Sequence, residues 1–87
     1  MTNLLRLHPV AITCLEVWKN FLLTGDQQGA IKVYQTSDMS VLLQGNVQPT
    51  LKPHDMAITS LAVLEHPNLG QPVVAAGNKG GYITLVQ

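Results

Sequence analysis

Charge is scarce in this 87-residue sequence: Asp, Glu, Lys and Arg make up 11% of it, against roughly 25% in ordinary soluble domains. Five acidic residues balance five basic ones. Arg6, Lys19, Lys32, Lys52 and Lys79 are scattered along the chain, so no cluster exists to neutralise a run of phosphates, and nucleic acid is excluded as an expected partner. Cys14 is the single cysteine, which excludes an internal disulfide and fits a reducing compartment. No apolar stretch approaches the roughly 20 residues that span a bilayer, and Met1-Thr2-Asn3-Leu4-Leu5-Arg6 has neither the basic start nor the apolar centre of a signal peptide. The expectation is an intracellular protein, cytoplasmic by default, with no membrane partner.

Catalytic constellations are missing as well. Glu16, Asp26, Asp38, Asp55 and Glu65 stand alone along the chain, so no carboxylate pair is offered for acid–base work, and no Ser, His and acid share a nucleophile setting. His8 and His54 have no acidic or thiol neighbours at metal-ligand spacing, and His66, in the inserted loop, is expected to be solvated. The loop Gly77-Asn78-Lys79-Gly80-Gly81 lacks the Gly-Lys-Ser/Thr ending and the following helix of a phosphate cradle. The sequence therefore predicts no enzyme activity, no cofactor and no metal.

What the sequence does have is apolar residues, 46% of the total, and a near-duplication. Leu5-Arg6-Leu7-His8 followed by Ala11-Ile12-Thr13-Cys14-Leu15-Glu16-Val17 returns as Leu51-Lys52-Pro53-His54 followed by Ala57-Ile58-Thr59-Ser60-Leu61-Ala62-Val63, 46 positions later. Farther on, Phe21-Leu22-Leu23-Thr24-Gly25-Asp26-Gln27-Gln28-Gly29-Ala30-Ile31-Lys32-Val33-Tyr34-Gln35 matches Val73-Val74-Ala75-Ala76-Gly77-Asn78-Lys79-Gly80-Gly81-Tyr82-Ile83-Thr84-Leu85-Val86-Gln87, 52 positions later. The difference is a longer turn-rich loop, Leu64-Glu65-His66-Pro67-Asn68-Leu69-Gly70-Gln71-Pro72, in the second copy. Repeat 1 covers about residues 1–46 and repeat 2 about 47–87 of a single segment. A period in this range marks stacked units that cannot hide their apolar faces alone.

The repeats read as strands. Residues 11–17 and 58–63 are short β-branched and aliphatic runs, expected to be covered on both faces. Residues 21–24 and 73–76 end at glycine, and Asp26-Gln27-Gln28-Gly29 and Asn78-Lys79-Gly80-Gly81 supply hairpin turns before strands at 31–34 and 83–86. Helices are excluded by Gly25, Gly29, Gly77, Gly80 and Gly81, which break every long window. Val41-Leu42-Leu43 fits strand or loop. An outer strand at 48–52 is expected from its alignment with residues 3–6.

Thr50-Leu51-Lys52-Pro53-His54-Asp55-Met56-Ala57-Ile58-Thr59-Ser60-Leu61 and Leu22-Leu23-Thr24-Gly25-Asp26-Gln27-Gln28-Gly29-Ala30-Ile31-Lys32-Val33-Tyr34-Gln35 resemble the WD-repeat β-propeller family. The first looks like that family's histidine-ended entry into an inner strand, the second like its next strand, turn and third strand. The resemblance implies an all-β chain of two four-stranded antiparallel blades, part of a propeller or completed by oligomerisation. It implies structural roles for His8, Thr24, Tyr34 and His54. The family's turn aspartate falls on Gln28, leaving His8 without an acidic partner, and its Trp-Asp ending is replaced by Tyr34-Gln35 and Val86-Gln87.

By the same resemblance the chain is a non-catalytic interaction module or scaffold. Its protein-binding rim falls on Val10, Ala11, Asp26 and Gln27 in the first repeat and Met56, Ala57, Asn78 and Lys79 in the second, with Met56 as an exposed, adaptable contact. The partners implied are other proteins, or further blades of the same or another chain, in a homo-oligomer or a larger complex. The alternative is an assembly piece: either a part of a longer propeller, or a chain whose residues 3–6 complete the open blade of another copy. Cys14, aligned with Ser60, reads as a small core residue.

Overall fold

The computed structural model describes residues 4–47, 55–65, 68 and 70–87, and these form strands and turns without a helix. The elements are β1 (Ile12–Trp18), β2 (Phe21–Asp26), β3 (Ala30–Gln35), β4 (Ser40–Asn46), β5 (Ile58–Leu64), β6 (Val73–Asn78) and β7 (Ile83–Val86). They make two antiparallel sheets, a four-stranded one in the order β1-β2-β3-β4 and a three-stranded one in the order β5-β6-β7. Within each sheet, strands that follow one another in sequence are antiparallel neighbours, the arrangement hairpin connections favour.

The sequence repeat is also a repeat of hydrogen bonds. Gln27 N–H donates to Ala11 O at 3.0 Å and Lys79 N–H to Ala57 O at 3.2 Å; Gly29 N–H donates to Asp26 O and Gly81 N–H to Asn78 O, both at 3.2 Å. The ladder slips between Ile12 and Cys14 in β1 and between Ile58 and Ser60 in β5. The two slips fall at the same place in the two repeats and mark a local break in the ladder. Gly29, at φ 87°, and Gly81, at φ 84°, close the two hairpin turns in the left-handed region, where a side chain is strained.

The core lies between the sheets. Leu23, Ile31 and Val33 of the first sheet, with Val47 just beyond β4, pack with Ile58, Leu61, Val74, Ala76 and Val86 of the second sheet, with Cys14, Trp18, Leu43 and Val63 against them. Strands β1 and β2 lie against β5, and β4 meets β7. Gly25 is required here: a Cβ on it would lie 2.5 Å from Ile58 Cγ2, so the sheets close only because that carbon is missing. Across the same junction the Thr13 hydroxyl donates to Ile58 O. At the opposite end of β1, Trp18 stacks on Phe21 with ring centroids 5.7 Å apart, and Lys19 Nζ sits 4.6 Å over the indole.

Several expectations are corrected. The fourth strand of the first sheet is β4, residues 40–46. The chain doubles back directly after β3 because Met39 adopts φ 59°, its N–H donates to Gln35 O at 2.7 Å, and Asp38 Oδ1 accepts from Ser40 N–H. The outer strand expected at 48–52 lies outside the described residues, as does Asn3; residues 4–6 form no strand. The second sheet has three described strands, in keeping with a second four-stranded unit whose outer strand is not supplied by this sequence. Strand β1 is not covered on both faces: Leu15 and Val17 are exposed, because the second sheet covers only the face that bears Cys14 and Trp18.

Candidate functional site

The turn end of the two sheets is held by a buried polar relay. Asp26, the last residue of β2, accepts Gln28 N–H and Ala30 N–H on Oδ1, each at 2.9 Å. This fixes the turn in the way an aspartate at the first turn position does. Its other oxygen, Oδ2, accepts His8 Nδ1–H at 2.7 Å. A carboxylate can only accept, so it fixes Nδ1 as a donor. His8 Nε2 meets Thr24 Oγ1 at 2.5 Å, and that hydroxyl also lies 3.5 Å from Lys32 O. All three side chains are buried, and each polar atom named has a partner, as burial requires.

The preceding residue is pinned as well. Leu7 O accepts from Lys32 Nζ at 3.1 Å and from Tyr34 Oη–H at 3.3 Å. Desolvation raises the Tyr34 phenol above its ordinary pKa, so it stays a neutral donor. Residues 7 and 8, outside any strand, are thereby fastened to β2 and β3.

This corrects the assignment of the relay. His8 does have an acidic partner, and it is Asp26; Gln28 is exposed on the turn and contributes only its backbone N–H to Asp26. The signal was present in the sequence, since an Asx residue follows glycine at the same place in both repeats. Asn78 holds the second turn similarly, Oδ1 accepting Tyr82 N–H at 3.1 Å, while its buried Nδ2 has no partner among the described residues. His54 lies outside the described residues.

The eight rim residues part into four groups. Ala11, Gln27, Ala57 and Lys79 come together, with Thr13, Ile58 and Thr59, around an open cleft of about 420 Å³ between the two turns. Val10 lies apart, in a hollow with Leu7, His8 and Ile12. Asp26 and Asn78 are buried and turned inward as caps, so neither is displayed to a partner. Met56 is half-buried against the core, which corrects its reading as an exposed thioether. Ala57 is also buried and reaches the cleft only as part of its wall.

Thr13 and Thr59 are cleft residues that pattern reading missed. They occupy one position in the two repeats, at the break in each ladder. Lys79 is the charged residue in the wall. Among the described residues no group of three or more His, Cys, Asp or Glu side chains gathers to hold a metal ion, and no helix is long and apolar enough to cross a membrane. Comparison with family models, curated proteins and solved structures gives no match to this chain.

Proposed function

We propose that this chain is a non-catalytic protein-interaction module, a two-blade segment of a WD-repeat propeller that receives a peptide segment of another protein at the cleft between its turns. The observation that carries the reading is the joining of Ala11, Gln27, Ala57 and Lys79 in one open wall, on a frame made rigid by the His8–Asp26–Thr24 relay. A recess set on rigid elements, apolar at its floor and polar at its edge, suits peptide capture. Lys79, supplying its one positive charge, favours a segment bearing a carboxylate.

The test is peptide selection by surface display on the purified chain, followed by affinity measurement. Peptides selected by the unaltered chain should bind at least about tenfold more weakly to Lys79→Glu and Gln27→Glu. They should bind Leu42→Ser, altered on the distant β4, unchanged. Selected peptides indifferent to both cleft substitutions, or no selected peptides, would remove this reading. A second reading, assembly, is favoured by a separate observation: apolar side chains exposed on the outer face of each sheet.

A further inference from the structure

The apolar side chains left exposed on the two outer sheet faces are the repeat counterparts of those buried between the sheets. Inside, the second sheet contributes Ile58, 0% exposed, and Leu61, 8%, with Val63 against the same core. Their counterparts 46 positions earlier are Ile12, 39% exposed, Leu15, 61%, and Val17, 65%. From the other side of the junction the first sheet contributes Gly25, Ile31 at 0% and Val33 at 7%. Their counterparts 52 positions later are Gly77, Ile83 at 74% and Leu85 at 59%. The molecule thus carries one complete interface at its centre and the two separated halves of the same interface outside.

We propose that a second copy of this chain docks head to tail, its Ile12, Leu15 and Val17 seating on the Gly77, Ile83 and Leu85 face of the first. The inner junction gives the geometry. Ile58 fills the space over Gly25, where a Cβ would lie 2.5 Å away. A Cβ on Gly77 would meet only Ser60 Oγ and Thr59 Oγ1 of its own sheet, so the equivalent hollow is open for Ile12 of the second copy.

Polar groups repeat in the same sense. Thr13 donates to Gly25 O at 3.3 Å and across the junction to Ile58 O. Thr59 donates to Gly77 O at 3.2 Å and is exposed, ready to reach Ile12 O of the second copy. Charge agrees too. Lys19 Nζ faces Glu65 Oε1 at 3.4 Å across the inner junction, and these two residues are themselves repeat counterparts. Head-to-tail docking sets Glu65 of one copy beside Lys19 of the next, opposite charges again. An exposed pair of this kind adds little energy, but it favours this register over those that bring like charges together.

Such a contact is heterologous, with different surfaces on the two partners. That predicts a complementation pattern that a symmetric dimer cannot give. It does not rest on the peptide-binding reading and fails independently of it, because neither Leu15 nor Leu85 lines the cleft.

The experiment is sedimentation equilibrium on the full chain and two variants at exposed positions, Leu15→Lys and Leu85→Lys. The unaltered chain should gain mass with concentration from 9.4 kDa, up to about 1 mM. Each variant alone should remain at the single-chain mass through the concentrations where the unaltered chain associates. An equimolar mixture should double in mass, since one variant keeps the Gly77 face and the other the Ile12 face. If circular dichroism shows that either variant has lost its strands, Val17→Lys and Ile83→Lys replace them. An unaltered chain that stays at single-chain mass, a folded variant that associates with itself, or a mixture that does not pair would overturn the proposal.

Discussion

His8 Nδ1 and Asp26 Oδ2 lie 2.7 Å apart with both side chains withdrawn from solvent, so a residue outside any strand is tied to the last residue of β2. The same carboxylate holds the β2–β3 turn through Gln28 N–H and Ala30 N–H. One side chain therefore fastens both the entry to the first sheet and its β2–β3 hairpin.

Asp26→Ala strands a buried imidazole N–H and two backbone donors, and each buried donor left unsatisfied costs about 1–3 kcal/mol. Asp26→Asn keeps an acceptor for the turn and should lose less. Gln28→Ala, at an exposed position, should stay within about 0.5 kcal/mol of the unaltered chain. Urea titration followed by circular dichroism gives the order; Gln28→Ala as costly as Asp26→Ala would contradict the relay described here. A small domain has only about 5 kcal/mol to lose, so Asp26→Ala should be partly unfolded before denaturant is added.

Gly25 and Ile58 should be coupled. Gly25→Ala places a Cβ 2.5 Å from Ile58 Cγ2, an overpacking that costs about 1–3 kcal/mol. Ile58→Ala, emptying the centre of the core, costs about 2–5 kcal/mol. The double variant should be less destabilised than the two losses added, because Ile58→Ala vacates the room the new methyl needs. Strict additivity in urea midpoints would mean that the two residues do not meet.

The Cys14 thiol should react slowly. Burial raises its pKa above the ordinary thiol value, while hydrogen bonds involving Thr13 and Gly25 pull it partway back. The nucleophile is the thiolate, and a raised pKa leaves less of it at any pH below the transition. Modification by a chromogenic disulfide at pH 8 should run slower than for a free cysteine peptide, and unfolding in urea should restore the peptide rate.

Asp38 should titrate below the usual carboxylate range, because the Ser40 backbone N–H and then the Ser40 hydroxyl stabilise its ionised form. Its folded pKa lies under its unfolded value, so its contribution to stability is present above the unfolded pKa and is lost as pH falls through the lower folded one. The Ser40 amide resonance reports this directly: its pH midpoint should fall below that of a carboxylate in a short peptide, and Asp38→Asn should abolish the titration.

The strands were legible because each of β1, β2, β3, β5, β6 and β7 is a short apolar or β-branched run stopped by turn residues. Strand β4 was not, since its place depends on Met39 accepting a left-handed backbone and on the Asp38–Ser40 turn. Four of the rim positions do meet at one cleft, but Asp26 and Asn78 sit in the same turns and point inward. Spacing along a turn does not say which way a side chain leaves it.

The sequence by itself determined that the chain is all strand, that it is built twice, and that glycine and Asx residues mark its turns, because these depend on local backbone preference and on apolar periodicity. Tertiary structure alone decided the direction of contact. It set Asp26 on His8 and Thr13 on Ile58 O, and it covered one set of repeat positions while leaving the equivalent set in solvent. Identical positions in the two copies differ in exposure because burial depends on what lies opposite, and each sheet has the other on one face only.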